Sequence, residues 1–266
     1  MERMKLKFAF FSICAFYFLN NYAKVPELLT TIPEKAFDIQ INYSDEIIIL
    51  QKGNVKKFDT QGNLLATYGN IYINQQTEII SYNTFRTILF CPDFGKIIIL
   101  DKRFGVVSIV DVYNIADYFV SKVGISYDNS SLWFWDDIRQ VLIKTNQKND
   151  IIYVSNNMQI YVGKTIHPMM ITELATKLYL NDTTQGLFVF DNTGTYKKLI
   201  PIANIQSFYE KEGLLFYVSG DGVYSYNAMT FEQTNYTSVP KLNQLKIGQT
   251  VLCGINSYGL VEIWNY

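Results

Sequence analysis

The sequence predicts an all-β protein, a six-bladed β-propeller whose ring is closed by the N-terminal strand. Three observations lead to this prediction. A strand–turn–strand unit recurs along the chain, the last unit lacks its final strand, and an unassigned strand-like segment stands near the N-terminus. Hydrophobic side chains make up 48% of the 266 residues and charged ones 18%, which is enough apolar material for a large core.

The recurring unit is a hairpin of two apolar strands with Asp or Asn after the second strand, a residue type that favours turns. The six copies end at Asp59, Asp111, Asn146, Asp191, Asn227 and Asn265. The intervals between these ends are uneven, and the longest is the one from Asp59 to Asp111. Tight hairpin turns need positive φ, which glycine adopts at little cost. Five copies carry a glycine before the second strand, at Gly53, Gly105, Gly186, Gly222 and Gly259.

Further strands flank each hairpin, with "FDIQINY" before the first copy and "NLLATYG" after it. Four antiparallel strands at a period of roughly 40 residues are typical of a propeller blade. Residues 24–266 therefore form a single predicted domain of six blades. Two copies are stretched, which leaves five or seven blades as alternatives, and a β-sandwich would also give short strands with regular turns.

The segment "PELLTTIP", Pro26 to Pro33, is predicted to complete the final blade. The sixth copy stops at Tyr266, one residue after its second strand, so its blade needs an outer strand. Pairing with "GLVEIWN", Gly259 to Asn265, would close the ring and cover the sheet edge. Leu28 and Leu29 would point to opposite faces of this strand, so at least one of them is predicted to be buried.

Residues 1–23 are predicted to be a signal peptide. A basic head, "MERMKLK", precedes the apolar stretch "FAFFSICAFYFL", which is short for a membrane span. Cleavage after Ala23 would give an exported protein, periplasmic or associated with the outer membrane, with no membrane span left. An uncleaved anchor is the alternative.

The strand-and-turn pattern, as in "LYLNDTTQGLFVFDNTGTYKK", resembles that of β-propellers with NHL- or YVTN-like repeats. It is similar in particular to exported propeller-like proteins of the Bacteroidetes. The resemblance spans roughly Lys24 to Tyr266. It implies a propeller fold and carries almost no information on function.

No catalytic or cofactor-binding residue is assigned from the sequence. The only histidine, His167, is interpreted as a surface-loop residue, and phosphate-loop and dinucleotide motifs are absent. Cys91 and Cys253 are interpreted as small buried hydrophobes, with a disulfide between them left open. Repeated turns account for the acidic residues better than a calcium loop does. These acidic residues are Asp93, Asp101, Asp136, Asp137, Asp182 and Asp221.

The favoured function is a non-enzymatic binding or scaffolding module of the cell envelope. Its partner would be an envelope protein or peptide, and the chain would act as a monomer or as a subunit of a larger complex. The 23 basic and 24 acidic residues are mixed along the chain, so no basic tract indicates nucleic acid.

The alternative is a metal-dependent hydrolase resembling the six-bladed lactonases, which hold a metal on oxygen ligands in the central channel. Asp38 and Glu173 are the candidate metal ligands. The polar residues that the innermost strands offer for such a ring are Asp38, Gln40, Asn42, Glu173 and Gln206.

Overall fold

The protein is described by a computed structural model that covers residues 25–81, 84–115, 117–220, 222–239 and 241–266. Its strands form six four-stranded antiparallel sheets, the blades of a propeller, which confirms the predicted fold and blade number. The predicted leader with Cys14, the predicted mature start at Lys24, and Asp221 lie outside the described residues. In each blade we call the innermost strand A and the outermost strand D.

The first described strand belongs to the last blade, and blades 1 to 3 then follow in chain order. The strands up to the end of blade 3 are β1 (Glu27–Lys35), β2 (Asp38–Ile41), β3 (Ile47–Gln51), β4 (Asn54–Phe58), β5 (Leu64–Gly69), β6 (Glu78–Ile80), β7 (Arg86–Cys91), β8 (Lys96–Asp101), β9 (Val106–Asp111), β10 (Val120–Ile125), β11 (Leu132–Asp136), β12 (Val141–Thr145) and β13 (Ile151–Val154).

One short helix, α1 (Met158–Val162), connects blade 3 to blade 4. Blades 4 to 6 contain β14 (Met170–Leu174), β15 (Lys177–Asp182), β16 (Gly186–Asp191), β17 (Tyr196–Ile200), β18 (Ile205–Lys211), β19 (Leu214–Ser219), β20 (Gly222–Asn227), β21 (Gln233–Ser238), β22 (Gln244–Ile247), β23 (Val251–Ile255) and β24 (Leu260–Asn265).

The N-terminal strand closes the ring as predicted. β1 pairs antiparallel with β24 and becomes strand D of blade 6. The expectation for Leu28 and Leu29 is wrong, because both side chains are exposed. The register shifts between Leu28 and Thr30, which breaks the simple alternation of faces at that point. Ile32 is the residue of β1 that enters the core.

In blade 2, the predicted hairpin is displaced by one strand relative to the hairpins of the other blades. The hairpin ending at Asp111 comprises strands C and D, whereas the other copies comprise strands B and C. Strand B is β7, which leads into a 3-10 turn at Pro92–Phe94. The true equivalent of Asp59 is Asp101, and with this correction the first two intervals of the repeat become nearly equal.

The repeated Asp and Asn residues hold the loops between strands C and D. Asp59, Asp101, Asn146 and Asp191 each accept hydrogen bonds from the backbone N–H groups two and four residues further on, at 2.8–3.0 Å. These bonds satisfy donors that the hairpin leaves unpaired. The predicted turn role of Asp101 is confirmed.

The core consists of apolar clusters between adjacent blades. A cluster joins each neighbouring pair, including blades 6 and 1, where Ile32 and Ile263 meet Ile39 and Ile47. Cys91 and Cys253 are buried in two different clusters and are not bonded to each other. Burial raises the pKa of the Cys253 thiol to about 12, so this thiol stays protonated and unreactive at neutral pH.

The alternating strand directions give the propeller two distinct faces. The B–C loops and the connections from strand D to the next strand A lie on one face, which we call the top face. The A–B and C–D loops lie on the other, the bottom face. The innermost strands surround a channel that opens on both faces.

Candidate functional site

The top mouth of the channel is a cavity of about 710 Å³ lined by the innermost strands of all six blades. Alternation along these strands sends one set of side chains into the channel and the other into the blade interfaces. In β2, Asp38 and Gln40 line the cavity, while Ile39 and Ile41 belong to the core. In β22, Gln244 and Lys246 line it, and Leu245, which also borders it, packs in the core cluster between blades 5 and 6.

Two carboxylates and two ammonium groups line this cavity, and we call them the charged collar: Asp38, Glu78, Lys122 and Lys246. Glu78 and Lys122 form an ion pair between blades 2 and 3. Burial raises the pKa of Glu78, the Lys122 ammonium opposes this shift, and the Asp38 carboxylate adds to it. The collar therefore offers both signs of charge to a ligand rather than a net field of one sign.

Amide side chains complete the top mouth. Gln206, Asn204 and Asn243 line it together with the collar. Gln244 donates to the Phe37 carbonyl oxygen at 3.3 Å. Its Oε1 atom is buried and accepts no hydrogen bond from the described residues.

The five polar residues predicted for the channel do not form one ring. Asp38, Gln40 and Gln206 line the top cavity. Asn42 instead holds a turn, where its Oδ1 accepts the N–H groups of Ser44 and Glu46. Glu173 lines a second cavity at the bottom mouth.

The two candidate metal ligands, Asp38 and Glu173, thus lie in different cavities. In the described part of the chain, no group of three or more His, Cys, Asp or Glu residues is placed to hold a metal ion. The buried Glu173 is used by protein donors, because it accepts hydrogen bonds from the Trp133 indole and from the Tyr127 N–H.

The sequence reasoning missed Glu78, Lys122 and Lys246. Strand β6 has only three residues, which is too short for a clear strand signal in the sequence. In β10 the register shifts between Val120 and Lys122, which moves the channel-facing position. The available signal was a polar residue near the start of several innermost strands, as in "DIQI", "EII" and "QLKI".

Two buried aspartates shape the top face between blades. Asp136 accepts the N–H groups of Ile138 and Arg139 in its own B–C loop and that of Phe119 in the preceding connection. Asp182 does the same for blade 4, binding the N–H groups of Thr184 and His167. The predicted turn role of both is confirmed, and each also ties two top-face segments together.

His167 lies on the top face and is mostly exposed, as predicted. Its Nδ1 atom is 3.2 Å from Oδ1 of Asp137, which also accepts a hydrogen bond from the Trp135 indole at 3.3 Å. This pairing joins two different top-face segments and was not predicted. His167 is not among the residues that line the top cavity.

A group of large exposed apolar side chains lies on the top face of blades 2 to 4. They share a position in B–C loops or in connections between blades. We call this set the apolar arc: Ile71, Phe94, Tyr113, Phe119, Ile138, Ile160 and Tyr161. Local contacts hold parts of the arc in place, since Tyr72 packs on Phe94 with ring centroids 5.4 Å apart. The Asn156 amide also donates to the Tyr161 hydroxyl at 2.8 Å.

Among the residues that the structure describes, no helix has the length and apolar character to span a membrane.

Solved structures with the same fold come from proteins of different function. The WD40 domain of Neurospora crassa Pan2 has a TM-score of 0.59 at 8% identity, covering 91% of this chain and 96% of that one. A chain of a mitotic checkpoint complex has a TM-score of 0.57 at 10% identity, covering 100% and 98%. Virginiamycin B lyase from Staphylococcus aureus, an inactive H270A variant with quinupristin, has a TM-score of 0.54 at 13% identity, covering 90% and 87%.

These likenesses show the propeller fold alone, because all three identities are very low. No protein-family profile matches the chain, and no curated protein matches it in sequence.

Proposed function

We propose that this protein is a non-enzymatic binding module of the cell envelope that holds a protein partner on its top face. The apolar arc carries this proposal. Exposed apolar side chains grouped on one face of a domain indicate an interaction site, and aromatic side chains are enriched at the centres of protein interfaces. The seven side chains of the arc stand on connections between rigid strands, where a propeller presents its variable loops.

The charged collar complements the arc. A partner segment that lies across the arc can place polar or charged groups over the top cavity, where Asp38, Glu78, Lys122 and Lys246 offer both signs of charge. Such groups add specificity more than affinity. Propellers are also found in multi-subunit assemblies, and one of the similar chains belongs to a mitotic checkpoint complex.

The proposal is tested by affinity capture from solubilised envelope with a tagged protein. The variant Phe119→Ser/Ile138→Ser/Ile160→Ser removes three exposed arc side chains. The matched control, Ile152→Ser/Met229→Ser, removes exposed apolar side chains that lie off the top face. We expect the arc variant to lose a partner that the wild type and the control both retain. Equal capture by all three proteins, each with a normal melting temperature, would contradict the proposal.

Export is part of the same proposal and is supported by the basic head and apolar stretch of residues 1–23. We expect the mature chain to begin near Lys24 and to be found outside the cytoplasm. N-terminal sequencing of the native protein decides this. A soluble cytoplasmic chain that starts at Met1 or Glu2 would contradict it.

The competing hydrolase function is tested separately. Metal analysis of the purified protein, with the variants Asp38→Asn and Glu173→Gln, would support a metal site only if a stoichiometric divalent ion is lost on substitution. His167→Ala tests an enzyme that uses the one histidine. We expect stability and partner capture to be unchanged in this variant, because the His167 side chain has few buried partners and does not belong to the apolar arc.

A further inference from the structure

The bottom mouth of the channel is a second cavity, of about 350 Å³, on the face opposite the apolar arc. Its walls are built by the A–B loops and the ends of the innermost strands of blades 1 to 5. The volume is at the low end of the range for small-molecule sites, and it suits one long side chain or a small organic molecule.

Three aromatic rings from three different blades stand around this cavity. Tyr43, Phe85 and Tyr127 line it, and each keeps more than half of its surface exposed, at 55%, 66% and 58%. Most aromatic rings of the protein instead fill the spaces between blades. Exposed rings that converge on one cavity offer π faces to a ligand.

Hydrogen bonds hold the loops that carry two of these rings, Tyr43 and Tyr127. Tyr43 lies in the turn that Asn42 holds, and the next turn residue, Asp45, accepts two N–H groups from the A–B loop of blade 6, those of Gln249 and Thr250. The Tyr127 N–H is bound by Glu173 at 3.2 Å. The backbone that carries Tyr43 and Tyr127 is therefore ordered before any ligand arrives, which lowers the entropic cost of binding.

The charge that faces this cavity is negative. Glu173 and Glu210 line it, and no described lining residue is Lys, Arg or His. Lys177 and the Tyr179 hydroxyl bind Glu210, and Lys144 stands 4.0 Å from Glu173, but neither lysine lines the cavity. A carboxylate has about four acceptor positions, so both can accept further hydrogen bonds from the cavity side. The top cavity differs, because its two lysines are themselves among the residues that line it.

We propose that the bottom mouth is a guanidinium-binding site that receives an arginine side chain. A guanidinium stacks on aromatic faces and donates in a planar fork to carboxylates, which matches the two kinds of group that converge here. An ammonium group is more strongly hydrated and makes no bidentate contact. The arginine can belong to an extended peptide or be a free small molecule, and both present the same group.

The test is calorimetric titration of the full protein with the peptide Gly-Gly-Arg-Gly and with its neutral isostere, in which citrulline replaces arginine. We expect the arginine peptide to bind at least tenfold more tightly. A lysine peptide should bind at an intermediate level, and added salt should weaken both cationic peptides. N-acetyl-arginine amide binding as tightly as the peptide identifies a free small molecule as sufficient, whereas weaker binding shows that the site also holds peptide backbone.

The variants Phe85→Ala and Tyr127→Ala should each weaken arginine binding about fivefold, the usual effect of losing one cation–π contact. Glu210→Gln should weaken arginine binding further. We choose Glu210 for this substitution rather than Glu173, because Glu173 also accepts the hydrogen bond of a buried indole. The control Tyr258→Ala removes an exposed aromatic ring from a top-face loop outside the apolar arc, and it should bind arginine normally. Equal binding of the citrulline peptide, no binding of either peptide, or full binding by a normally melting Phe85→Ala/Tyr127→Ala variant would overturn the proposal.

Discussion

Thr31 in the first strand of the chain lies directly opposite Glu262 in the last, so a single blade contains both ends of the propeller. Blade 6 depends on this pairing for its outer strand. The fold is therefore closed by hydrogen bonds between segments from opposite ends of the chain. Such closure is costly in chain entropy and is compensated only when the whole ring forms.

A disulfide between positions 31 and 262 should form within one molecule. The variant Thr31→Cys/Glu262→Cys places two cysteines opposite each other on exposed or half-exposed positions. The neighbouring pair, Thr30 and Ile263, is less suitable because Cys253 lies across from Ile263 and would compete. We expect a monomeric, oxidised product with a raised melting temperature.

Mass spectrometry of a non-reducing digest measures this crosslink, and single-cysteine Thr31→Cys is the control. Crosslinked dimers without an intramolecular product would show that the two strands are not paired in solution.

Ile32 should be the residue of β1 that contributes most to ring closure. Its side chain is buried against the first and last blades, whereas Leu28 in the same strand is 45% exposed. We expect Ile32→Ala to lower the free energy of unfolding by about 2–5 kcal/mol, the usual cost of a large cavity. The matched variant Leu28→Ala should stay within about 0.5 kcal/mol of the wild type. Urea unfolding measures both, and equal effects would mean that β1 does not seal the core.

The closed ring and its six blades could be predicted from sequence because the signals are local. Apolar runs, turn residues and their recurrence at about one blade length are visible along the whole chain. The sequence could not predict which side chain of β1 is buried. The register shift between Leu28 and Thr30 depends on pairing with β24, which is far away along the chain. Blade 2 was misaligned because its C–D hairpin also carries a glycine and a final aspartate, Gly105 and Asp111, and so imitates a B–C hairpin.

The candidate sites were less predictable than the fold, for a geometric reason. Glu78 and Lys122 form an ion pair across two blades, and Tyr43 and Tyr127 meet at one mouth from loops in different blades. The spacing of these residues in the sequence does not predict that they lie close together, because their positions depend on how far each innermost strand extends along the channel. A polar residue at the start of an innermost strand indicates that polar side chains line the channel. It does not indicate which of these side chains come into contact with one another.

Asp191 should stabilise its turn only while it is ionised. Desolvation favours the protonated form, but hydrogen bonds from Lys197, Thr193 and Thr195 outweigh it and hold the pKa of Asp191 well below its usual range. A carboxyl whose pKa is lower in the folded state stabilises the fold above its unfolded pKa, about 3.9. That contribution is lost as the pH falls towards the folded pKa.

We therefore expect Asp191→Ala to lower the free energy of unfolding by roughly 1 kcal/mol at pH 7. The difference from the wild type should shrink below about pH 4. Asp191→Asn, which keeps an acceptor oxygen, should recover part of the loss at pH 7 and show no titration of its own. Thermal unfolding across this pH range measures the effect. A difference that is constant between pH 7 and pH 3 would show that the carboxylate charge does not matter.

Glu173 should act as a structural acceptor for a buried indole rather than as a metal ligand. Trp133 is fully buried, its Nε1–H donates to Glu173, and the Lys144 ammonium lies 4.5 Å from the centre of its ring. Glu173→Ala would leave the indole donor without an acceptor and the half-buried ammonium without its nearest carboxylate. A loss of about 3 kcal/mol in the free energy of unfolding is expected.

Glu173→Gln is the discriminating variant, because it keeps both the volume and an acceptor oxygen while removing the charge. We expect it to retain most of the stability that Glu173→Ala loses and to leave the metal content of the protein unchanged. Urea unfolding followed by tryptophan fluorescence, with metal analysis of the same samples, measures both quantities. If Glu173→Gln were as unstable as Glu173→Ala, the charge opposite Lys144 would be the main contribution, and the indole hydrogen bond would be secondary.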